Sequence, residues 1–245
     1  MTYPVTKLII AINVIVFLLV FSFPETAREL IFLSFSFSAG TSGEIWRWIT
    51  SMFLHVSASH IVLNMLGLWY FGKVLERSVS RQWFLAIYFI SGLLGNFAFM
   101  MTSGAPVVGA SGAVFGVLGA AMLLNPMKPA KIFIFPLPLG IVGILFLLFE
   151  TMVIFFQPVE FGHVATIAHI AGVIAGGMFG AFYKPKQALK SSLFLAVSLI
   201  LLIALNPIFS LITSVGGFIH WIIEQVAGLV LYTLAALLSY VWAAF

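Results

Sequence analysis

The sequence lacks cysteine and aspartate, and only 7% of its 245 residues are charged. Without cysteine the chain has no disulfide, no thiol nucleophile and no Cys-based metal site. An ordinary soluble domain has about 25% charged residues, so 11 basic and 7 acidic side chains are too few to cover a surface exposed to water. A soluble globular enzyme, a disordered chain and a nucleic-acid-binding module are therefore excluded.

Apolar residues dominate instead: 62% of the chain is hydrophobic and the mean hydropathy is +1.19. A spanning helix needs roughly 20 apolar residues, and several runs of that length follow one another. We predict an all-α, polytopic membrane helix bundle: six helices in residues 1–185, with an outer interfacial loop at 24–56, and a C-terminal membrane extension at 186–245 of one or two helices. The predicted spans are 7–23, 57–75, 83–101, 108–124, 132–156 and 164–183, followed by 191–212 and 225–245.

The basic residues predict the orientation of these helices, because cytoplasmic loops carry an excess of lysine and arginine. A cytoplasmic N-terminus places nine basic residues inside and leaves Arg28 and Arg47 outside. The second, fourth and sixth helices then all begin near the outer surface. The nine inner residues are Lys7, Lys73, Arg77, Arg81, Lys128, Lys131, Lys184, Lys186 and Lys190.

Polar side chains occur near the starts of those three helices: His60 and Asn64 in the second, Ser111 in the fourth and His169 in the sixth. Polar groups inside a membrane are costly and mark functional sites by default. Ser111 and His169 together supply a nucleophile and a base. His60 and Asn64 share a helix face and can donate hydrogen bonds to an oxyanion together with the Ser111 backbone N–H.

Two stripes of small residues favour close contact between the fourth and sixth helices, since such stripes let membrane helices approach at backbone distance. Packing stripe against stripe brings Ser111 within hydrogen-bond reach of His169. The stripes are Gly112, Gly116 and Ala120 in one helix, and Gly172, Gly176 and Gly180 in the other.

Each polar residue also has a purely structural interpretation. Ser111 is typical of a helix cap or a small packing residue, and the pair His60 and Asn64 is typical of hydrogen bonds that hold membrane helices together. A Ser-His-Asp triad is impossible without aspartate. Glu160, the acid in the loop before His169, is a less favoured orienting group than a simple Ser-His dyad.

Four motifs in order resemble the rhomboid intramembrane serine proteases, over roughly residues 1–185. This resemblance implies a rhomboid-like six-helix core. The motifs are Trp46-Arg47; His55 with His60-x-x-x-Asn64; Gly109-Ala110-Ser111-Gly112; and Ala168-His169-Ile170-Ala171-Gly172.

The resemblance implies a role for each of these residues. Ser111 is the expected nucleophile, His169 the general base, and His60, Asn64 and the Ser111 amide the oxyanion donors. Phe115 is expected to pack against the His169 ring. Gly109, Gly112 and Gly172 are expected to support the site, and Gly72 and Glu76 to have a structural role.

The expected function is therefore endopeptidase cleavage of transmembrane protein substrates near the outer membrane face, in the lipid bilayer of the cell membrane, without a cofactor or metal and without nucleic acid. Two alternatives stay open. One is a catalytically inactive scaffold or chaperone of the same fold. The other is a transporter, which is less favoured because the sequence has no internal repeat and its mid-membrane charge is limited to Glu150.

Overall fold

The computed structural model describes residues 3–132, 135–156 and 159–204. These residues form nine α-helices and one β-hairpin. The prediction of an all-α membrane helix bundle is therefore confirmed. The helices are α1 (Pro4–Ser22), α2 (Glu25–Phe35), α3 (Arg47–Thr50), α4 (Ala58–Leu75), α5 (Arg81–Thr102), α6 (Ser111–Leu124), α7 (Leu139–Phe156), α8 (Val159–Tyr183) and α9 (Pro185–Ala204), and the hairpin pairs β1 (Pro129–Ile132) with β2 (Phe135–Pro138).

Three of the described segments are long and apolar enough to cross a membrane: α1, α5 and Thr166–Tyr183 of α8. The segment Arg47–Phe53 and α4 meet at an angle of 96° and pass the same test together, which is the geometry of a broken span or a re-entrant loop. Helix α6 is also apolar but has only 14 residues, which is about 21 Å of helix. It is therefore shorter than the hydrocarbon core of a bilayer, which is about 30 Å thick.

The prediction of a helix over 132–156 was wrong at its start, because Ile132 and Phe135–Pro138 belong to the two antiparallel strands and α7 begins only at Leu139. Pro136 and Pro138 lie in this stretch. A proline inside a helix removes a backbone hydrogen bond and clashes with the preceding turn. The apolar character of the segment conceals this local preference for an extended backbone.

Other helix starts also differ from the predicted ones. Helix α8 begins at Val159, not at 164, so Glu160 belongs to this helix and not to the loop before it. Helix α6 begins at Ser111, not at 108. Helix α9 begins at Pro185, not at 191, because proline is well suited to the first position of a helix. Contacts divide the chain into a compact unit at Met1–Ala196 and a second unit at Val197–Phe245. The rest of the predicted span 191–212, beyond Ala204, and the whole span 225–245 lie outside the described residues.

Helix α6 is the centre of the bundle and packs against α4, α5 and α8. All of its residues from Gly112 to Met122 are buried. A helix that is apolar on every side is stable only when neighbours surround it. The first turn of α6 is therefore held on three sides, and Ser111 opens that turn.

The carboxylate of Glu76 joins α1 to α4. It accepts hydrogen bonds from Val5 N (2.8 Å), Thr6 N (2.9 Å) and Thr6 Oγ1 (2.7 Å), so it caps the first turn of α1. Gly72 lets α1 come close, since a Cβ there would lie 2.9 Å from Thr6 Cγ2. The structural role expected for Gly72 and Glu76 is confirmed.

Candidate active site

Ser111 is the first residue of α6, with Ala110 at the N-cap position. The first helical hydrogen bond runs from Val114 N to Ala110 O at 2.9 Å. The backbone N–H groups of Ser111, Gly112 and Ala113 therefore lie outside the hydrogen-bond ladder of the helix. Such groups at a helix start favour a negative charge beside them.

The loop before Ser111 is fixed by backbone hydrogen bonds to the segment 24–56. Val107 and Phe37 form a two-bond antiparallel bridge, with N···O distances of 2.7 and 3.1 Å. Gly109 N donates to Ser51 O at 2.8 Å. The position of Ser111 thus depends on residues that lie 60 and more positions earlier in the chain.

Two histidines lie against this loop just before Ser111. His55 Nε2 accepts a hydrogen bond from Ala110 N at 3.4 Å, and its ring is 4.9 Å from the His60 ring in an edge-on arrangement. Gly109 has a φ of +121°, a conformation that side chains disfavour. A Cβ on Gly109 would lie 2.7 Å from His60 Nε2, so only glycine lets the His60 ring come this close to the loop.

Asn64 lies one turn after His60 on α4 and is buried, with 7% of its surface exposed. Its Nδ2 donates a hydrogen bond to His60 O at 2.9 Å. An asparagine amide carries two N–H groups, so this bond uses one of them. Asn64 therefore makes a hydrogen bond within its own helix, on the face that also carries His60.

The His169 ring is stacked on the Phe115 ring, with centroids 4.4 Å apart and planes 9° apart. Both side chains are buried. Phe115 lies four residues after Ser111 on α6, and residues at this spacing share a helix face. The stack therefore places the His169 ring against the face of α6 that carries Ser111.

Glycines bring the backbones of α6 and α8 into contact. A Cβ on Gly172 would overlap the carbonyl oxygen of Gly112, and a Cβ on Gly176 would overlap that of Gly116. These matched pairs show that the two helices run in the same direction. Ser111 precedes Gly112 by one residue and His169 precedes Gly172 by three, so both lie at the same end of the contact.

Helix α5 completes this packing with a glycine that the sequence analysis did not identify. A Cβ on Gly95 would lie 3.0 Å from Ala168 O and 3.3 Å from Gly112 Cα. Gly95 thus contacts the residue before His169 and the residue after Ser111 together. The signal was present, since Ser91 and Gly95 are four residues apart, as the small residues in the stripes of α6 and α8 are.

The segment 24–56 is helical in part and is joined to the bundle by polar contacts. Arg47 is buried and donates to two carbonyl groups at the end of α2, and it also pairs with Glu44 at 2.8 Å. Asn96 of α5 donates to Trp48 O and to Ser51 Oγ, both at 3.0 Å. Asn96 therefore holds the same Ser51 residue whose carbonyl fixes the loop before Ser111.

The side chains of Glu150 and Glu160 lie outside the described residues. The orienting role considered for Glu160 and the mid-membrane charge of Glu150 therefore stay predictions.

Comparison with known proteins identifies the family. A family model described as the Rhomboid domain matches residues 42–187. Rhomboid protease GluP of Bacillus subtilis (strain 168) is 34% identical over 143 residues, which cover 57% of this chain and 26% of that protein. Rhomboid protease GlpG of Yersinia pestis (strain Pestoides F) is 24% identical over 188 residues, covering 77% and 65%. GlpG of Serratia proteamaculans (strain 568) is 27% identical over 184 residues, covering 75% and 64%.

The chain spans about a quarter of the length of GluP and just under two thirds of that of the two GlpG proteins. The matched region contains all four motifs of the site and begins within the segment 24–56, which fixes the loop before Ser111. It covers more than half of the chain. The chain is therefore a multi-pass integral membrane protein of the rhomboid family.

Proposed function

We propose that this chain is an intramembrane serine endopeptidase in which Ser111 is the nucleophile and His169 the general base. The proposal depends on one observation: Ser111 and His169 lie at the same end of two parallel helices. The backbone contact of Gly172 with Gly112 and the stack of His169 on Phe115 hold them there. The two kinds of contact are independent, and both act on the distance between Ser111 and His169. The names of the relatives, which are rhomboid proteases, support the same reaction class.

The bonds that form and break in the proposed reaction involve only the peptide substrate, this pair and water. Ser111 Oγ attacks the carbonyl carbon of the scissile peptide bond while His169 takes the hydroxyl proton. The C–N bond then breaks, His169 gives that proton to the leaving amine, and an acyl-enzyme ester remains on Ser111. Water repeats the sequence on the ester and releases the acid product with Ser111 restored.

The oxyanion of this reaction has three proposed donors: the Ser111 N–H, His60 and Asn64. The Ser111 N–H is one of those outside the helical ladder, and the His60 ring lies on Gly109 two residues before Ser111. Asn64 has a second N–H besides the one bound to His60 O. Donors held in place before the reaction stabilise the developing charge at no cost of reorganisation.

The length of α6 supports a site below the membrane surface. A helix of 14 residues covers about 21 Å of a hydrocarbon core that is about 30 Å thick. Ser111 can then lie several ångströms inside the bilayer while the loop before it reaches toward water. The lysine distribution favours the outer side, so we propose outer-face cleavage by a catalytic core at residues 1–185.

Substrates are proposed to be transmembrane helices of other membrane proteins. A peptide bond within a helix is shielded by its own hydrogen bonds, and a spanning segment must satisfy its backbone groups internally. Cleavage therefore requires local unwinding. Substrates with glycine or proline near the cut are expected to react faster, because both residues destabilise a helix.

The proposal is tested with purified protein in detergent and a reporter protein that contains one transmembrane helix. Ser111→Ala and His169→Ala are each expected to abolish cleavage while the melting temperature stays near that of the wild type. Ser59→Ala, an exposed serine at the start of α4, is the matched control and is expected to cleave normally. Cleavage by either dyad variant would contradict the proposal, and a folded wild type without activity on any transmembrane reporter would favour the inactive scaffold.

A further inference from the structure

A cavity of about 440 Å³ lies at the opposite end of α6 from Ser111, between the turn that follows α6 and the first half of α9. This volume falls within the range of small-molecule sites. Its lining combines basic, neutral polar and apolar side chains, and none of its members is acidic. The lining residues are Leu124, Asn125, Pro126, Met127, Lys128, Gln187, Lys190, Ser191 and Phe194.

The walls of this cavity are fixed by hydrogen bonds. Gly140 N donates to Pro126 O at 2.8 Å, and Leu139 N donates to Lys128 O at 2.9 Å, so the start of α7 holds the turn. Gln187 Nε2 donates to Leu124 O and joins α9 to the end of α6. The backbones that carry the basic side chains are therefore anchored to two other elements.

Positive charge is concentrated at this cavity. Lys128 is half-buried and Lys190 is exposed at the edge. Burial lowers the pKa of Lys128, and the nearby charge of Arg77 lowers it further. The lining thus contains two lysines and no acid, and Arg77 repels one of these lysines. A bound anion would stabilise such a site.

The apolar surface beside Lys190 indicates which kind of anion fits. Leu189 and Leu193 on α9 are 76% and 69% exposed. Lys190 and Leu193 are three residues apart and share a helix face. An exposed apolar strip continuous with a basic cavity at a helix end is the arrangement expected for an amphiphile with an anionic head and an acyl chain.

We propose that this cavity binds the phosphate group of an anionic phospholipid, with Lys128 and Lys190 as its charged ligands and the acyl chains along the apolar face of α9. The site is separate from the proposed active site, because it lies at the other end of α6. A lipid bound there bridges the turn after α6 and helix α9. Binding to the folded state alone raises the stability of that state by mass action.

The experiment is native mass spectrometry of the protein released from a neutral detergent, with phosphatidylglycerol or zwitterionic phosphatidylcholine titrated in. Phosphatidylglycerol is expected to bind at one saturable site that phosphatidylcholine does not occupy. Lys128→Gln combined with Lys190→Gln is expected to weaken phosphatidylglycerol binding about 30-fold, since each lysine near an anionic lipid contributes about 1 kcal/mol and the sum of about 2 kcal/mol converts to that factor. The single variant Lys190→Gln, at an exposed position, is expected to lose about fivefold with its fold intact.

The matched control is Lys7→Gln combined with Lys73→Gln, which removes the same charge from α1 and α4. This variant is expected to bind phosphatidylglycerol like the wild type. Equal losses in the two double variants would show general surface attraction and overturn the site. Inorganic phosphate shows whether the site takes a lipid headgroup or free phosphate. Failure of millimolar phosphate to displace the lipid supports a lipid site. Tight binding of phosphate alone would overturn the assignment to lipid.

Discussion

Replacing Gly172 by alanine tests the packing that sets the distance between Ser111 and His169. The added Cβ would overlap Gly112 O, and it would lie 3.1 Å from the Gly112 carbonyl carbon and 3.4 Å from Gly112 Cα. These are backbone atoms, so no side chain can move aside. Helices α6 and α8 must separate by several tenths of an ångström to about an ångström to admit the methyl group, because a packed interior does not absorb added volume without strain.

The displaced residues lie close to the dyad, because Gly172 is about one turn after His169 and Gly112 directly follows Ser111. Misplacement of reacting groups by about 1 Å can cost about 10²-fold in rate, and overpacking typically costs about 1–3 kcal/mol of stability. We expect Gly172→Ala to lower the cleavage rate by about 10²-fold although both dyad residues remain. The melting temperature is expected to fall modestly.

Gly180 on the same helix provides the control. A Cβ there would lie 3.5 Å from Leu124 Cγ and 3.6 Å from Ala120 Cα, which is ordinary van der Waals contact. Gly180→Ala is expected to keep the wild-type rate and to gain about 0.5–1 kcal/mol from the lower flexibility of the unfolded chain. The assay is cleavage rate per folded molecule beside melting temperature. A normal rate in Gly172→Ala, or equal losses in the two variants, would show that the contact between Gly172 and Gly112 does not set the distance between Ser111 and His169.

Three further predictions follow from single contacts. Asn64→Ala is expected to lower turnover by about 10²-fold with little change in apparent substrate affinity, since one oxyanion donor is lost; a lower melting temperature with an unchanged rate would instead favour a structural role. Phe115→Leu keeps most of the apolar volume but removes the ring under His169, so turnover is expected to fall about 2- to 10-fold in steady-state kinetics. Glu76→Ala is expected to destabilise the protein by about 1.5–3 kcal/mol in thermal unfolding, with an unchanged rate per folded molecule.

The polar constellation was accessible from the sequence because membrane helices make polar residues conspicuous. His60, Asn64, Ser111 and His169 interrupt apolar runs, and such interruptions are costly. The stripes of Gly112 and Gly172 also have a regular spacing that predicts contact. In the structure the two stripes are in contact, with Gly172 against Gly112 and Gly176 against Gly116.

The support of the loop before Ser111 was not accessible in the same way. Val107 pairs with Phe37, and Gly109 with Ser51, through backbone groups that leave no mark in side-chain patterns. The hairpin before α7 was missed because its residues are as apolar as those of a spanning helix. Its three prolines, Pro129, Pro136 and Pro138, disfavour a helix, but a hydropathy average does not register this backbone preference.

Labelling with a fluorophosphonate probe tests whether Ser111 and His169 act as a dyad, because the probe reacts preferentially with a serine whose hydroxyl is activated by a base. We expect the wild type to be labelled at Ser111, Ser111→Ala to remain unlabelled, and His169→Ala to be labelled far more slowly although its serine is intact. Labelling of His169→Ala at the wild-type rate, or no labelling of folded wild-type protein, would contradict the proposed dyad.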